Sequence, residues 1–322
     1  MHKPSPEPSV TSSETILLGL DIGGTKCSAL IGTAAGDVLD RLTWPSDAER
    51  GPDAMLDDLI GHARVLIDRH QGEVAGAGVV VGGPLDSRRG LVLSPPNLPG
   101  WDNIPLRSRL EDALSMPVGL EHDAAACALA EYRWGAGRGG HSVAYLTCGT
   151  GFGMGLVIDG VPYYGAGGHS CEIGHVLLEG EGPVAFGKTG SVEAFCAGAS
   201  LSKLAAWKYP DRWRDAAPTG PELSDLAGSG DADARSIIDV WSGSVARVAA
   251  SIADTLFCDV IILGSLARYL GPEVFEAIHD TYLAQVHPHA RDRCRLCVTE
   301  LGERLQDSSA LAAAARARSI RQ

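Results

Sequence analysis

Two short segments combine glycines with polar side chains in a pattern suited to holding phosphate groups. DIGGTK at 21–26 and CGTGFG at 148–153 each follow an apolar run. Small residues let backbone N–H groups approach phosphate oxygens, and threonine hydroxyls add donors. A plain hairpin turn is the alternative for each segment alone, whereas two such turns on facing lobes suit a nucleotide triphosphate. The phosphate-binding candidates are Asp21, Gly23, Gly24, Thr25, Lys26, Gly149, Thr150 and Gly151.

Asp123 begins a predicted helix directly after an apolar strand. Its carboxylate can act as a helix N-cap, which is the plain structural alternative. The functional interpretation is a general base that accepts the proton of an attacking hydroxyl.

A second set of polar side chains follows the CGTGFG segment, in a glycine-rich stretch that contains Glu172, His175 and Glu193. Carboxylates together with an imidazole suit hydrogen bonding to the vicinal hydroxyls of a sugar. A solvated acidic loop is the alternative.

Three other motifs match known signatures in letters but fail in context. Residues 182–189 fit G-x-x-x-x-G-K-[ST], but an acidic stretch at 179–181 precedes them where a P-loop needs a buried strand. Residues 135–140 fit G-x-G-x-x-G, but they precede a predicted strand instead of following one. Cys294 and Cys297 form a lone C-x-x-C, which lacks the second pair that a zinc site needs.

Hydrophobic periodicity predicts an alternation of strands and helices. The predicted strands are 16–21, 27–32, 38–43, 74–81, 118–121, 142–147, 153–158, 260–263 and 295–299. The predicted helices are 54–68, 106–113, 123–132, 192–207, 232–257, 272–284 and 308–318. Strand, polar-glycine turn and strand occur twice, which is a weak internal repeat. We therefore expect two similar α/β lobes, with both glycine turns at the cleft between them.

Composition limits the class of protein. The 322 residues favour two domains, and 27 basic against 40 acidic residues give a net charge of −13, which argues against a nucleic-acid partner. No apolar run is long enough to span a bilayer, so we expect no membrane partner. Residues 1–15 are polar and predict a disordered tail instead of a secretory signal. The eight scattered cysteines indicate reduced thiols in the cytoplasm.

Seven motifs in order resemble those of the ROK family (repressor, open reading frame, kinase) of sugar kinases. They are DIGGTK at 21–26, GGPLD at 82–86, PNLPGW at 96–101, HDAAACALAE at 122–131, CGTGFG at 148–153, EIGH at 172–175 and LGS at 263–265. The resemblance covers roughly residues 16–318. It implies an actin-like, hexokinase-like α/β fold, in which two duplicated ribonuclease-H-like lobes enclose ATP and sugar.

The same resemblance implies roles for individual residues. It places the ATP phosphates at the two glycine turns and adenosine at Gly264. Independently of the resemblance, the position of Asp21 at the end of the predicted strand suits it to hold Mg²⁺ through water. The resemblance also makes Asp123 the general base, and it implies a homodimer. The implied sugar-contacting positions are Asn97, His122, Glu172, His175 and Glu193. We expect an N-terminal lobe at 16–121, completed by a C-terminal helix at about 305–322, and a C-terminal lobe at 122–304.

Two positions beside the implied sugar site depart from the family pattern. His122 stands where the family usually has Asn, and it is larger and titrates near neutral pH. Cys171 stands where Gly usually precedes the glutamate. The identity of the sugar is thereby left open.

The family's zinc loop, C-x-C-G-x-x-G-C-x-E, has lost all three cysteines. Val184, Phe186 and Ser191 stand in their places. Zinc needs several thiolate or imidazole ligands, and His175 alone cannot hold it. We therefore expect no structural zinc, and we expect Val184 and Phe186 to pack the loop in place of the metal.

The sequence thus predicts an ATP-dependent kinase that phosphorylates a hydroxyl of a hexose or N-acylhexosamine. A catalytically impaired sugar sensor on the same fold is one alternative, motivated by His122 and the lost zinc ligands. A P-loop NTPase that uses Lys188 is another. Repressors of the family carry a winged helix-turn-helix ahead of the first phosphate motif. Because only 20 residues precede Asp21 here, we expect no DNA-binding repressor.

Overall fold

The structure is a computed structural model that describes residues 15–70, 74–264 and 270–320. The predicted tail, apart from its last residue, lies outside these ranges. Ser265 and the last two residues of the predicted C-terminal helix lie outside them as well.

Strands and helices alternate along the chain, and they are numbered here within the described ranges. The strands are β1 (Ile16–Ile22), β2 (Lys26–Thr33), β3 (Val38–Pro45), β4 (Val74–Val81), β5 (Leu85–Asp86), β6 (Leu91–Val92), β7 (Val118–His122), β8 (Ser142–Cys148), β9 (Phe152–Ile158), β10 (Val161–Pro162), β11 (Val184–Ala185), β12 (Lys188–Thr189), β13 (Val260–Leu263) and β14 (Arg295–Val298). The helices are α1 (Gly51–His70), α2 (Leu106–Leu114), α3 (Asp123–Trp134), α4 (Val192–Cys196), α5 (Ser200–Lys208), α6 (Pro210–Trp213), α7 (Gly220–Gly228), α8 (Ala232–Leu256), α9 (Pro272–Gln285), α10 (Pro288–Arg291) and α11 (Leu305–Ile320).

Two five-stranded mixed sheets have the same order and the same strand directions. The first runs β3-β2-β1-β4-β7 and the second β10-β9-β8-β13-β14. In the first sheet, β3, β2 and β1 pair antiparallel, and β4 and β7 run parallel to β1. In the second sheet, β10, β9 and β8 pair antiparallel, and β13 and β14 run parallel to β8. The internal repeat expected from the two glycine turns is therefore present as a duplicated sheet.

Small residues let the alanine-rich helices approach these sheets closely. A β-carbon built at Gly78 in β4 would lie 2.2 Å from the Ala314 nitrogen of α11. One built at Gly155 in β9 would lie 1.9 Å from the Ala124 carbonyl oxygen of α3. Thus α11 packs on the first sheet, and the first turn of α3, which carries Asp123, packs against the second. The domain limits at 121/122 and 304/305 stay a prediction.

The predicted helix at 192–207 is wrong in one respect, because it is two helices, α4 and α5. The chain leaves the helical path between them, where the Gly198 amide donates to the Gly149 carbonyl at 2.7 Å. A contact with the second glycine turn thus replaces one helical turn.

Several short elements were absent from the sequence prediction, among them the β5–β6 and β11–β12 hairpins and α7. The sequence did carry a signal for α7, since Thr219 and Glu222 form a capping box at its start. No helix in the described ranges combines the length and the apolar character needed to cross a membrane.

Candidate active site

The first glycine turn joins β1 to β2 and exposes Gly24, Thr25 and Lys26. The Gly23 amide donates to the Lys26 carbonyl at 3.1 Å. Ser46, the residue after β3, stabilises the turn with two hydrogen bonds. Its hydroxyl donates to the Gly23 carbonyl, and its amide donates to the Thr25 carbonyl. The sequence analysis missed Ser46. The result is a fixed turn whose tip faces outward.

Asn97 lies directly on this turn. A β-carbon built at Gly24 would lie 2.9 Å from both the Asn97 Cβ and the Asn97 carbonyl oxygen. Only glycine leaves room for this approach. The structure therefore brings one predicted sugar residue beside the predicted phosphate turn.

Asp21, the last residue but one of β1, lies among other carboxylates. Burial raises the pKa of Asp21 to about 6, the hydrogen bond from Gln306 opposes the rise, and the charges of Asp123 and Asp307 add to it. The Gln306 Nε2 atom donates to Asp21 Oδ2 at 2.7 Å. Sequence analysis did not assign Gln306 and Asp307 to the site, because their approach to Asp21 depends on how the C-terminal helix packs on the first sheet.

This group of carboxylates has the chemistry that a divalent cation requires. Magnesium prefers oxygen ligands and keeps several waters in nucleotide sites. The Asp307 Oδ1 atom is buried and has no hydrogen-bond partner among the described residues. Asp21 is thus suited to hold Mg²⁺ that arrives with a nucleotide. No cluster of three or more His, Cys, Asp or Glu side chains in the described ranges has the arrangement of a preformed metal site.

His122 and Asp123 form the junction between β7 and α3. The His122 Nδ1 atom lies 3.0 Å from Asp123 Oδ1, and the Ala124 amide donates to the same carboxylate oxygen at 2.6 Å. On its other side the His122 ring lies against the loop after β4, since a β-carbon built at Gly83 would be 2.9 Å from His122 Nε2. The imidazole is therefore held between that loop and the carboxylate.

The two side chains shift each other's titration. Burial lowers the pKa of His122, but the Asp123 carboxylate, followed by Glu172 and Glu121, outweighs burial and raises it above the usual value. Burial raises the pKa of Asp123, but the His122 ring and the Ala124 amide outweigh it, so the pKa lies below the usual value. The Asp123 side chain is 56% exposed, and it therefore presents an ionised carboxylate to the cleft.

The second glycine turn joins β8 to β9 and is contacted by Glu193. The Gly149 amide donates to the Gly151 carbonyl at 3.1 Å, and the Phe152 amide donates to Glu193 Oε2 at 3.4 Å. A β-carbon built at Gly151 would lie 3.2 Å from the same carboxylate oxygen. Glu193 therefore belongs to the wall of this turn.

Glu172 and His175 lie close to Glu193. Burial raises the pKa of Glu193, the Phe152 amide and His175 oppose the rise, and Glu172 adds to it. Glu172 also acts on His122. The predicted sugar residues at 122, 172, 175 and 193 are thus brought into one electrostatic neighbourhood. Asn97 reaches the site separately, through the first glycine turn.

Gly264 directly follows β13 and lies beside the second glycine turn. Its amide donates to the Leu146 carbonyl at 2.8 Å, and a β-carbon there would lie 3.2 Å from the Cys148 nitrogen. The predicted adenosine residue therefore adjoins the predicted phosphate turn.

The P-loop alternative does not match the local structure. Residues 182–189 contain the β11–β12 hairpin, in which Val184 pairs with Thr189, instead of a strand, loop and helix. The Lys188 ammonium donates to the His175 carbonyl. It therefore lies on the loop that carries a predicted sugar residue.

The residues in place of the zinc cysteines have divided roles. Ser191 caps α4, where its hydroxyl accepts from the Ala194 amide at 3.3 Å. Val184 and Phe186 are 50% and 67% exposed, so the expectation that they pack the loop is wrong. The β11–β12 hairpin places both side chains at the surface. There the Phe186 ring lies 6.0 Å from the His175 ring, measured between ring centroids.

Comparison with known proteins gives a consistent result. The ROK family model matches residues 17–318. A glucokinase of Halalkalibacterium halodurans is 26% identical over 309 residues, with 90% of this chain and 92% of the relative covered. An N-acetylmannosamine kinase of Escherichia coli is 33% identical over 270 residues, with 83% and 88% covered.

Comparison with solved structures finds ROK proteins of similar fold. A ROK hexokinase of Thermus thermophilus has a TM-score of 0.81 and 31% identity, with 93% of this chain and 98% of that chain covered. A ROK glucokinase of Streptomyces griseus, in complex with glucose and AMPPNP, has a TM-score of 0.74 and 25% identity, with 94% and 99% covered. A ROK transcriptional regulator, a homologue of the E. coli MLC protein, has a TM-score of 0.80 at 18% identity, covers 95% of this chain and 79% of that chain, and shows the fold alone.

The duplicated sheets and the two glycine turns define an α/β protein of the actin-like, hexokinase-like class. Within that class the chain belongs to the ROK family, as the seven motifs predicted. Its relatives include sugar kinases, and the family also contains a regulator.

Proposed function

We propose that this chain is an ATP-dependent sugar kinase that phosphorylates a hydroxyl of a hexose or N-acylhexosamine. The observation that carries the proposal is the position of Asp123. Its half-exposed, ionised carboxylate interacts electrostatically with Asp21 at the first glycine turn and contacts His122, on which Glu172 acts. A base between a phosphate site and a sugar site is what transfer to a hydroxyl requires.

Each part of the cleft then has a role. Asn97, His122, Glu172, His175 and Glu193 bind and orient the sugar hydroxyls. Asp123 accepts the proton of the attacking hydroxyl. The backbone amides of the two glycine turns, with Thr25, Lys26 and Thr150, hold the ATP phosphates, and Gly264 lies beneath the adenosine. Asp21 would hold Mg²⁺, which would neutralise phosphate charge. Such catalysis is mainly positioning and electrostatic stabilisation.

The relatives support the substrate class. The relatives are named glucokinase and N-acetylmannosamine kinase, and one structure holds glucose with AMPPNP. His122, where the family usually has Asn, changes the hydrogen bonding beside the base and leaves the particular sugar to experiment. We also propose that the protein is cytoplasmic, in keeping with eight free cysteines. We further propose that it is a homodimer and that it holds no structural zinc.

The test is ADP release from Mg-ATP across a panel of hexoses and N-acetylhexosamines. The proposal expects turnover that depends on one sugar of the panel. Binding of a sugar, seen as a rise in melting temperature, without turnover on any sugar would instead favour the sensor alternative.

A further inference from the structure

A cavity outside the candidate active site is lined by basic and aromatic side chains. Its volume is about 660 Å³, and none of the residues assigned above to sugar, ATP or catalysis lines it. It lies between β5 and α2 on one side and the β9–β10 turn on the other. The lining residues that matter here are Ser87, Arg88, Arg107, Tyr163, Tyr164 and Arg316.

The cavity carries more positive than negative charge. Within the described ranges Arg88 and Arg107 donate only to carbonyl oxygens: Arg88 to Tyr164 at 3.3 Å, and Arg107 to Arg88 at 3.2 Å and to Ser87. Arg316 is paired with Glu121, at 3.0 Å. That glutamate is fully buried behind Arg316, and it acts on Arg107 over a longer range. Two guanidinium groups therefore lack a carboxylate in direct contact.

Ser87 gives an independent sign of a missing ligand. The residue is 4% exposed and lines the cavity, and its buried hydroxyl oxygen has no hydrogen-bond partner among the described residues. The Ser87 amide donates to the Gly168 carbonyl at 3.2 Å, which fixes the residue in place. A buried hydroxyl without a partner is costly, and an oxygen-rich ligand would satisfy it.

We propose that this cleft is a binding site for a phosphate monoester of a small polyol. The guanidinium groups of Arg88 and Arg107 and the Ser87 hydroxyl hold the phosphate, because guanidinium donors match phosphate oxygens in charge and geometry. Tyr163 and Tyr164 form the wall against which the carbon skeleton lies. The volume falls within the usual range for small-molecule sites. The proposal does not rest on the kinase function.

The test is isothermal titration calorimetry at constant ionic strength, with inorganic phosphate, glucose 6-phosphate and glucose as separate probes. We expect inorganic phosphate and glucose 6-phosphate to bind saturably, and glucose 6-phosphate to bind more tightly. The double variant Arg88→Gln/Arg107→Gln weakens binding of both by at least about tenfold. Arg89→Gln is the matched control, because Arg89 is the next arginine along the chain, is 75% exposed and does not line the cavity. Equal affinity for the two phosphates would overturn the polyol assignment and the role of the tyrosine wall, and would assign the site to free phosphate.

Two further variants keep the proposal falsifiable. Ser87→Ala weakens phosphate binding severalfold while leaving the unliganded melting temperature equal or higher, since the lost hydroxyl had no partner. Glu172→Ala, in the candidate sugar site, leaves phosphate binding unchanged. The proposal is overturned if neither phosphate binds saturably, or if the arginine variant binds as tightly as Arg89→Gln. Loss of glucose 6-phosphate binding in Glu172→Ala alone would also overturn it, by assigning that binding to the sugar site.

Discussion

The His122 Nδ1 atom lies 3.0 Å from Asp123 Oδ1, which couples the last residue of β7 to the first residue of α3. The pair places the His122 ring against the carboxylate proposed as the base. Since folding raises the pKa of His122, its protonation stabilises the fold below its unfolded pKa. That contribution is lost as the pH rises through the folded pKa.

The pair predicts that Asp123→Asn lowers the pKa of His122. The carboxylate is the largest influence that raises this pKa, and without it the effect of burial, which lowers the pKa, has less opposition. Titration of the imidazole by NMR measures the change. Asp112→Asn, an exposed aspartate on α2, is the control and leaves the His122 pKa unchanged. An unchanged value in Asp123→Asn would show that the carboxylate does not hold the ring.

Asp21→Asn is expected to stabilise the protein at neutral pH while lowering kinase turnover. The pKa of Asp21 is raised to about 6, so its ionisation destabilises the fold increasingly as the pH rises from about 4 to 6. Asparagine removes this cost and still accepts the Gln306 hydrogen bond. We expect the melting temperature at pH 8 to rise by about 2 °C or more.

The melting temperatures of Asp21→Asn and wild type should converge near pH 4, where the wild-type carboxyl is protonated. Asp68→Asn, on the exposed face of α1, is the control and shows neither effect. A lower melting temperature for Asp21→Asn at pH 8 would contradict the electrostatic account of Asp21.

Gly24→Ala and Gly149→Ala form a matched pair at the two glycine turns. A β-carbon at Gly24 would meet Asn97 at 2.9 Å, whereas one at Gly149 meets nothing within 4 Å. Gly24→Ala therefore lowers the melting temperature without nucleotide, and Gly149→Ala changes stability by no more than about 0.5 kcal/mol. If Gly149 contacts phosphate, Gly149→Ala still raises the KM for ATP. An unaltered KM for ATP would remove Gly149 from the phosphate site.

Lys188→Ala separates the sugar kinase from a P-loop enzyme. Lys188 donates to the His175 carbonyl, so its loss should leave kcat within a few-fold and act mainly on the KM for the sugar. Loss of a phosphate-binding lysine would instead reduce kcat by about 10²–10³-fold, as for other groups that stabilise a transition state. Lys208→Ala, exposed at the end of α5, is the control.

Most of the fold was predictable, because the strands are short apolar runs and the glycine turns mark where several of them end. The split of α4 from α5 was not predictable, since it depends on a hydrogen bond from Gly198 to Gly149, 49 residues earlier in the chain. The sequence around residue 198 gives no signal that predicts such a contact.

The residues of the candidate site that lie within sequence motifs were predictable. The contacts that these residues make with distant parts of the chain were less so. The motifs predicted His122 and Asp123 as site residues, but the contact between their side chains is known only from the structure. The support of Asp21 by Gln306 and of the first glycine turn by Ser46 requires the tertiary fold. The exposure of Phe186 likewise depends on the direction of a hairpin that the zinc-loop pattern does not specify.

The central claim is that Asp123 is the base of a sugar kinase, and turnover of Asp123→Asn tests it most directly. With the sugar identified from the panel, the account predicts a loss in kcat of about 10²–10⁴-fold, the usual contribution of a general base. Sugar binding, followed by melting temperature, should persist, and Asp112→Asn should behave as wild type. Near-normal turnover by Asp123→Asn would contradict the account.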